Sequence, residues 1–372
     1  MKHPINSIQM LRGIAALAVV LCHSRNYLVG DAFNAADHIL FNGAMGVDLF
    51  FIISGFIMVI STYQYRGTFL DVVDFLIKRV SRVLPPYVIA TFIYILCSAG
   101  LSYFTQPHAI SGLFRAFVFL PETYMPYFNT PLPVGWTLNF EMYFYLIFSI
   151  SLLFGKFRFL ALCSFIFVTV CYIPKKLGAF TLNPLHFQDY SVPYYNMMAN
   201  PFILEFLCGA GISYICLYLR KHHTKLAGLP YLPYLSLGFG LTFLLNWTDI
   251  PHKLHSHGLL NWGIPCVLIF SIIVIMDVIH TFRIHHFLTK IGNVSYTLYL
   301  THTSSLLVLS HLLDRIHLGG MKISVFYAPF SATICVIVSF LLYNVMEKIP
   351  SDYIRTKLLS GVRSFRVRAV QQ

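Results

Sequence analysis

Charged side chains are scarce in this sequence of 372 residues. Asp, Glu, Lys and Arg together make up 11% of it, whereas hydrophobic residues make up 57%. Soluble domains usually carry about 25% charged residues, so the chain has too little polar surface to cover a water-exposed globule. Its apolar residues fall in runs of roughly 18–22, the length that crosses about 30 Å of hydrocarbon. Lipid is therefore the expected solvent for most of the chain.

Metal-binding spacings of cysteine and histidine are also missing. Each of the eight cysteines lies in or at the end of an apolar run, without a zinc-like CxxC spacing, which favours a packing role. The loop histidines lack a cysteine or carboxylate at ligand spacing, so we interpret them as interfacial residues and predict no metal site. They are His222, His223, His252, His255, His257, His285 and His286.

The excess of positive charge does not indicate a nucleic-acid partner. The formal net charge is +12, but a nucleic-acid-binding domain would gather its Lys and Arg residues on one soluble domain. Here they are scattered through short loops between apolar runs, which is typical of a membrane-topology signal. The internal repeat of many transporters is not evident in the sequence.

The hydrophobic pattern predicts an all-α fold, a polytopic membrane helical bundle of about ten transmembrane helices. Residues 1–350 form the transmembrane domain, and residues 351–372 form a basic cytoplasmic tail. The predicted spans are 8–28, 43–63, 84–103, 134–154, 157–173, 195–219, 230–248, 258–280, 294–313 and 324–346.

The positions of the basic residues predict the orientation of the bundle. With the N-terminus in the cytoplasm, 19 of the 26 Lys and Arg residues fall on the cytoplasmic side, as the positive-inside rule requires. Both termini are then cytoplasmic, and the number of spans is even. We expect a multi-pass protein of the cell inner membrane, in contact with membrane lipids, whose oligomeric state the sequence leaves open.

Six ionisable residues lie well inside the predicted spans, away from the span ends, and such a residue at the bilayer centre costs about 2.5–3.5 kcal/mol on insertion scales. They are Arg12, His23, Asp48, Glu141, Glu205 and His302. Counted from the ends of their spans, His23 and Glu141 lie ~7–10 Å below the outer interface, and Asp48 lies at a similar depth. These three residues are the predicted catalytic acid–base cluster. The alternatives are a backbone-bonded core histidine, a helix cap for Asp48 and a structural interhelical bond for Glu141.

A second polar group lies towards the cytoplasmic side. Arg12 is near the inner end of the first span, and Lys78, Arg79 and Arg82 precede Pro85-Pro86. Arg79 and Arg82 share one face of a helical turn, and clustered guanidinium groups suit phosphate. Plain positive-inside anchoring is the alternative.

Three polar residues of the ninth span follow one another at three-residue spacing. Tyr296, Tyr299 and His302 form a stripe that could line a tunnel for the donor. Aromatic stripes are usually packing, so a packing role is the alternative.

Five motifs in the chain carry a family resemblance. They are Leu11-Arg12-Gly13-Ile14-Ala15-Ala16-Leu17 with His23, Gly46 to Phe56, Phe75 to Pro85, Trp136 to Tyr145 and Gly292 to His302. In this order, across about residues 8–350, they resemble the acyltransferase-3 family of membrane proteins. The likeness is greatest to bacterial exopolysaccharide and O-antigen acetyltransferases. Lys78 stands where many members have Arg.

This resemblance implies transfer of an acyl group, by default acetyl, from cytoplasmic acyl-CoA to a glycan hydroxyl. The acceptor would be a cell-surface glycan, an exopolysaccharide or a lipid-linked saccharide precursor, with acetyl-CoA as co-substrate. The residues that the resemblance implies are Arg12, His23, Arg79, Arg82 and Glu141.

The mechanism that we predict assigns the acid–base step to His23. A sugar hydroxyl needs a base at neutral pH, so His23 would take its proton or carry the acyl group itself, and Glu141 would orient His23. Lys78, Arg79 and Arg82 would hold the phosphates of the donor. The alternative function is a transporter or flippase for a glycan or lipid.

Overall fold

The computed structural model describes residues 6–121, 130–186, 192–221, 240, 256–280 and 286–371. Every regular element in these ranges is helical. The α-helices are α1 (Asn6–Ser24), α2 (Asp31–Leu40), α3 (Gly46–Thr62), α4 (Phe69–Ser98), α5 (Ala109–Phe117), α6 (Trp136–Leu152), α7 (Arg158–Ile166), α8 (Ile173–Lys176), α9 (Pro193–Met198), α10 (Ile203–Lys221), α11 (Ile264–His280), α12 (His286–Asn293), α13 (Ser295–Arg315), α14 (Tyr327–Tyr343) and α15 (Ile349–Gln371).

Seven helical stretches in the described ranges are long and apolar enough to cross a membrane. They are Ser7–Tyr27, Phe41–Thr62, Phe69–Ser98, Gly155–Lys176, Pro193–Lys221, Leu259–Ile279 and Tyr327–Gly361. Two further predicted spans coincide with α6, which has 17 residues, and with α13, which is rich in Ser and Thr. The predicted span 230–248 lies outside the described residues apart from Gly240. A multi-pass helical bundle is therefore confirmed, while ten spans and cytoplasmic termini stay predictions.

The third predicted span, 84–103, is wrong at its start, because α4 begins at Phe69 and runs through Pro85 and Pro86. A capping box sets this beginning: Thr68 accepts a hydrogen bond from Asp71 N at 3.2 Å, and the Asp71 carboxylate accepts one from Thr68 N at 3.0 Å. The helix continues because proline removes single backbone bonds that neighbouring groups can replace in a bundle. The basic motif therefore lies on a helix within the protein and not in a loop before it.

Close helix contacts are made where a glycine leaves room for a neighbouring backbone. A Cβ atom on Gly55 of α3 would lie 1.9 Å from Phe206 O of α10, and one on Gly209 of α10 would lie 1.9 Å from Ile52 O. Small residues permit this approach, which drives helix association in lipid. The glycines thereby fix α3 against α10 and, with it, the depth of the polar residues that α3 carries.

The centre of the bundle is formed by α3 and α6, each with most of its residues buried. Aromatic rings fill the space between them and α10. Phe206 stacks on Phe51 and on Phe144, with ring centroids 4.6 Å apart in both pairs. A helix that is apolar around its whole circumference belongs inside a bundle, so the polar residues of α3 and α6 face the protein interior.

The predicted basic tail continues the last span as α15, a helix that packs along α4. The connection is a π-helical turn, Asn344–Lys348. This packing brings the beginning of α15 next to the basic motif of α4.

Candidate functional site

Three cavities follow one another through the described part of the bundle. The basal cleft, of about 790 Å³, is lined by Lys78, Glu347 and Arg355 among others. The arginine cavity, of about 80 Å³, contains Glu141. The histidine cavity, of about 480 Å³, contains His23.

Shared lining residues show that the three cavities are adjacent and lie in one order. The basal cleft and the arginine cavity have Arg12, Arg79 and Arg82 in common. The arginine cavity and the histidine cavity have Val47 and Tyr299 in common. A long, narrow ligand could therefore extend from the cleft past the arginines to the histidines.

The arginine cavity concentrates positive charge. Arg12 and Arg79 are both buried, and neither Arg12 nor Arg82 forms a hydrogen bond or ion pair within the described ranges. Arg79 donates to Ser61 Oγ at 2.6 Å and lies over the Phe75 ring. Three arginines line this cavity beside a single carboxylate, Glu141, and buried charge that is not balanced is costly, so the cavity is suited to an anion with several oxygen atoms.

Lys78 occupies a different position from the arginines of its motif. It is exposed, forms an ion pair with Asp74 at 2.7 Å, and donates to Tyr65 OH at 3.2 Å. It lines the basal cleft and not the arginine cavity. Lys78 could therefore meet only the part of a ligand that lies in the cleft.

Glu141 lies in the arginine cavity. Its carboxylate accepts hydrogen bonds from Ser54 Oγ at 3.0 Å and from the Tyr145 hydroxyl. It is the one carboxylate among the described lining residues of this cavity. Its negative charge offsets part of the arginine charge, and its bond with Ser54 connects α3 with α6.

The tyrosine stripe of α13 leads from one cavity to the next. Tyr296 lines the arginine cavity and donates to Val83 O at 2.9 Å. Tyr299 lies one turn further, where its hydroxyl is 2.9 Å from Thr137 Oγ1 and 3.3 Å from Val134 O. His302, another turn further, lines neither cavity in the described residues and lies against His23.

His23 and His302 form a pair in which each ring has a defined tautomer. His23 Nδ1 is 3.0 Å from Val19 O, and His302 Nδ1 is 2.7 Å from Tyr299 O. Because a carbonyl oxygen only accepts, both Nδ1 atoms carry the proton. His302 Nε2, at 3.3 Å from His23 Nδ1, can then accept. His23 Nε2 keeps its lone pair and has no hydrogen-bond partner in the described ranges, so it is a base available in the histidine cavity.

A second histidine of the same cavity has a carboxylate partner. His257 Nδ1 lies 2.7 Å from Asp48 Oδ2, and Asp48 Oδ1 accepts a hydrogen bond from Gly258 N at 2.9 Å. Gly258 has a φ of 113°, which favours glycine. Both Asp48 and His257 are buried, and the carboxylate fixes the imidazole as the acid does in a catalytic triad.

Glu205 of α10 lies behind this pair, beside Asp48. Its side chain is fully buried, and neither carboxylate oxygen has a hydrogen-bond partner in the ranges that the structure describes. Glu205 is not among the described lining residues of the histidine cavity.

The family model of the acyltransferase domain matches residues 5–344, which is most of the chain. The chain belongs to the acyltransferase-3 family. The exopolysaccharide production protein ExoZ of Rhizobium meliloti is 30% identical over 321 residues, covering 83% of this chain and 92% of that protein. The peptidoglycan O-acetyltransferase OatA of Listeria monocytogenes is 29% identical over 40% of this chain and 24% of its own length. No solved structure is significantly similar to this acyltransferase.

Family membership confirms the resemblance and makes the chain an O-acyltransferase of the membrane. The nodulation protein 10 of Rhizobium leguminosarum is also similar, with 30% identity over 38% of this chain.

The predicted pairing of Glu141 with His23 is wrong for this acyltransferase. His23 lies eleven residues after Arg12 on α1, which is about 16 Å along the helix axis, whereas Glu141 shares a cavity with Arg12. The equal depth assumed that α6 begins at the membrane surface. Residues 130–135 instead descend into the bundle, where Leu132 and Val134 are buried, so α6 begins below the level of the surface.

The interpretation of His257 as an interfacial residue is also wrong, because it is buried and bonded to Asp48. The capping alternative for Asp48 is excluded as well, since no side chain caps the beginning of α3. The sequence signal for this pair was the position of Asp48 within a predicted span, because a buried carboxylate needs a hydrogen-bond donor. The sequence did not indicate which of several histidines supplies it.

Proposed function

We propose that this acyltransferase moves an acetyl group from cytoplasmic acetyl-CoA to a hydroxyl group of a surface or exopolysaccharide glycan, or of its lipid-linked precursor, in the bacterial inner membrane. The observation that supports it is the succession of three adjacent cavities from the basal cleft past the arginines to His23. The phosphates of the coenzyme would lie at Arg12, Arg79 and Arg82. The thin pantetheine arm would extend past Tyr299, and the thioester would lie near His23.

The glycan acceptor is proposed from the relatives together with the cavity chemistry. ExoZ is named for exopolysaccharide production and OatA for peptidoglycan O-acetylation. The histidine cavity of this chain carries imidazole, hydroxyl and aromatic groups on its lining, which suit a ligand with hydroxyl groups and apolar C–H faces.

His23 is the proposed centre of the chemistry. Its Nε2 lone pair can take the proton of the acceptor hydroxyl while that oxygen attacks the thioester carbonyl. The other possibility is attack by Nε2 itself, which gives an acyl-imidazolium and the thiolate of coenzyme A, and the thiolate then takes up a proton from the medium. In both routes Val19 O and His302 hold the ring, since they fix Nδ1–H.

The test uses the purified full chain in lipid nanodiscs, radiolabelled acetyl-CoA and polysaccharide freed of its ester groups by mild alkali. We expect release of coenzyme A thiol and alkali-labile label on the polysaccharide. His23→Ala should abolish both, whereas His286→Ala, at an exposed histidine, should retain them. Equal thiol release by the His23→Ala protein would refute this role of His23. Absence of any thiol release by the unaltered protein would refute the donor.

A further inference from the structure

Aromatic side chains surround His257 in the wall of the histidine cavity. Three rings enclose the imidazole, with centroids 5.0 Å away for Trp262, 6.0 Å for Trp136 and 5.7 Å for Phe202. The Asp48 carboxylate is bonded to Nδ1 of the imidazole. The ring is therefore fixed in position and direction, which is the condition for a group that binds or deprotonates a ligand.

The histidine cavity carries two histidines with different supports. His23 rests on a carbonyl oxygen and another imidazole, and His257 rests on a carboxylate. Only the carboxylate can stabilise an imidazolium by direct ion pairing. His257 is therefore better suited than His23 to hold a proton during a reaction cycle.

We propose that the wall formed by His257, Asp48, Trp136 and Trp262 is the acceptor subsite of this O-acyltransferase, and that His257 is the base for the sugar hydroxyl. This inference rests on the proposed function and assigns the acceptor step to a residue pair distinct from His23. In the step, the hydroxyl oxygen forms a bond to the acyl carbon, and the bond from that carbon to His23 Nε2 breaks. The hydroxyl proton passes to His257 Nε2, and His23 leaves as the neutral imidazole that keeps its Nδ1–H.

The ligand class follows from the chemistry of this wall. Indole rings pack against the C–H faces of pyranose rings, and Ser256, Thr130 and the imidazoles can bond hydroxyl groups. None of the described lining residues of the histidine cavity is acidic. At about 480 Å³, the cavity has the volume of an ordinary small-ligand pocket, roughly 300–1,000 Å³, so it can hold a terminal portion of a saccharide.

The experiment separates the acceptor step from the donor step. Variants His257→Gln and Asp48→Asn are assayed in nanodiscs with acetyl-CoA and alkali-treated polysaccharide, and His286→Gln is the matched control. We expect acceptor-dependent transfer to fall about 10²–10⁴-fold with an unchanged Kd for acetyl-CoA. Trp262→Leu should raise the KM for polysaccharide more than it lowers kcat. Trp262→Phe keeps an aromatic ring and should have a polysaccharide KM close to that of the unaltered protein.

Several outcomes would overturn this inference. Transfer by His257→Gln within twofold of the unaltered protein would do so, as would a loss of acetyl-CoA binding equal to the loss of transfer. If His257→Gln fails to fold, as size-exclusion chromatography would show, the two Trp262 variants decide the question. An unchanged polysaccharide KM in both of them then rejects the subsite. Absence of thiol release by the unaltered protein would instead refute the proposed function, on which this inference rests.

Discussion

The hydroxyl of Tyr299 lies 2.9 Å from Thr137 Oγ1, at the junction between the arginine cavity and the histidine cavity. The bond joins α13 to the beginning of α6. The Tyr299 ring also meets Phe50 edge to face, with centroids 5.7 Å apart. Tyr299 thus separates a charged compartment from the compartment that contains the two bases.

Removal of the Tyr299 ring should widen the opening between these compartments. We expect Tyr299→Ala to raise hydrolysis of acetyl-CoA without acceptor, because water then reaches the thioester from the larger cavity. Tyr299→Phe keeps the ring and should retain most of the coupling between thiol release and acetyl-ester formation. The ratio of thiol released to acetyl ester formed measures this effect, and a ratio unchanged in Tyr299→Ala would contradict a separating role.

Neutralising two arginines should weaken donor binding. Each lost charge-assisted bond to phosphate is worth about 1.5–3 kcal/mol, so Arg79→Gln/Arg82→Gln should raise the KM for acetyl-CoA at least about 100-fold. The control is Arg66→Gln/Lys156→Gln, which removes equal charge at two exposed residues. If both double variants change the KM equally, the effect is general electrostatics and not a binding site.

His302 should act by positioning His23. Its Nε2 faces His23 Nδ1, so His302→Ala removes one support of the base without touching the arginine cavity. We expect kcat to fall about tenfold or more, with an unchanged KM for acetyl-CoA. The exposed His311 lies on the same helix, and His311→Ala should leave both parameters unchanged. A raised KM for acetyl-CoA in His302→Ala would instead place this residue in the donor tunnel.

A stability test addresses the contact between α3 and α10. Gly209→Ala places a methyl group against Ile52 O, and overpacking of this kind costs about 1–3 kcal/mol. The melting temperature in detergent should therefore fall by several degrees. Gly211 lies on the same helix with its nearest contact at 3.9 Å, from Phe159 Cζ, so Gly211→Ala should leave it unchanged or slightly higher. Equal melting temperatures of the two variants would show that α3 and α10 can move apart without a loss of stability.

The sequence by itself determined the solvent, the fold class and the family of this protein. Hydrophobic length reports directly whether a segment can cross a bilayer, so most spans were predicted in place. The motifs around Arg12, His23, Arg79 and Glu141 resemble the family, and the match over residues 5–344 confirmed it. The cost of placing charge in lipid also selected Asp48, Glu205 and His302 as residues that need partners.

Only the tertiary structure decided which of these residues meet. The partner of Asp48 is His257, more than two hundred positions away in the chain, and Glu141 meets the arginines instead of His23. Depth counted from span ends fails where a segment such as residues 130–135 descends into the bundle before its helix begins. Helix rotation and offset are set by side-chain packing and by glycine contacts. Hydrophobic length contains no information about either.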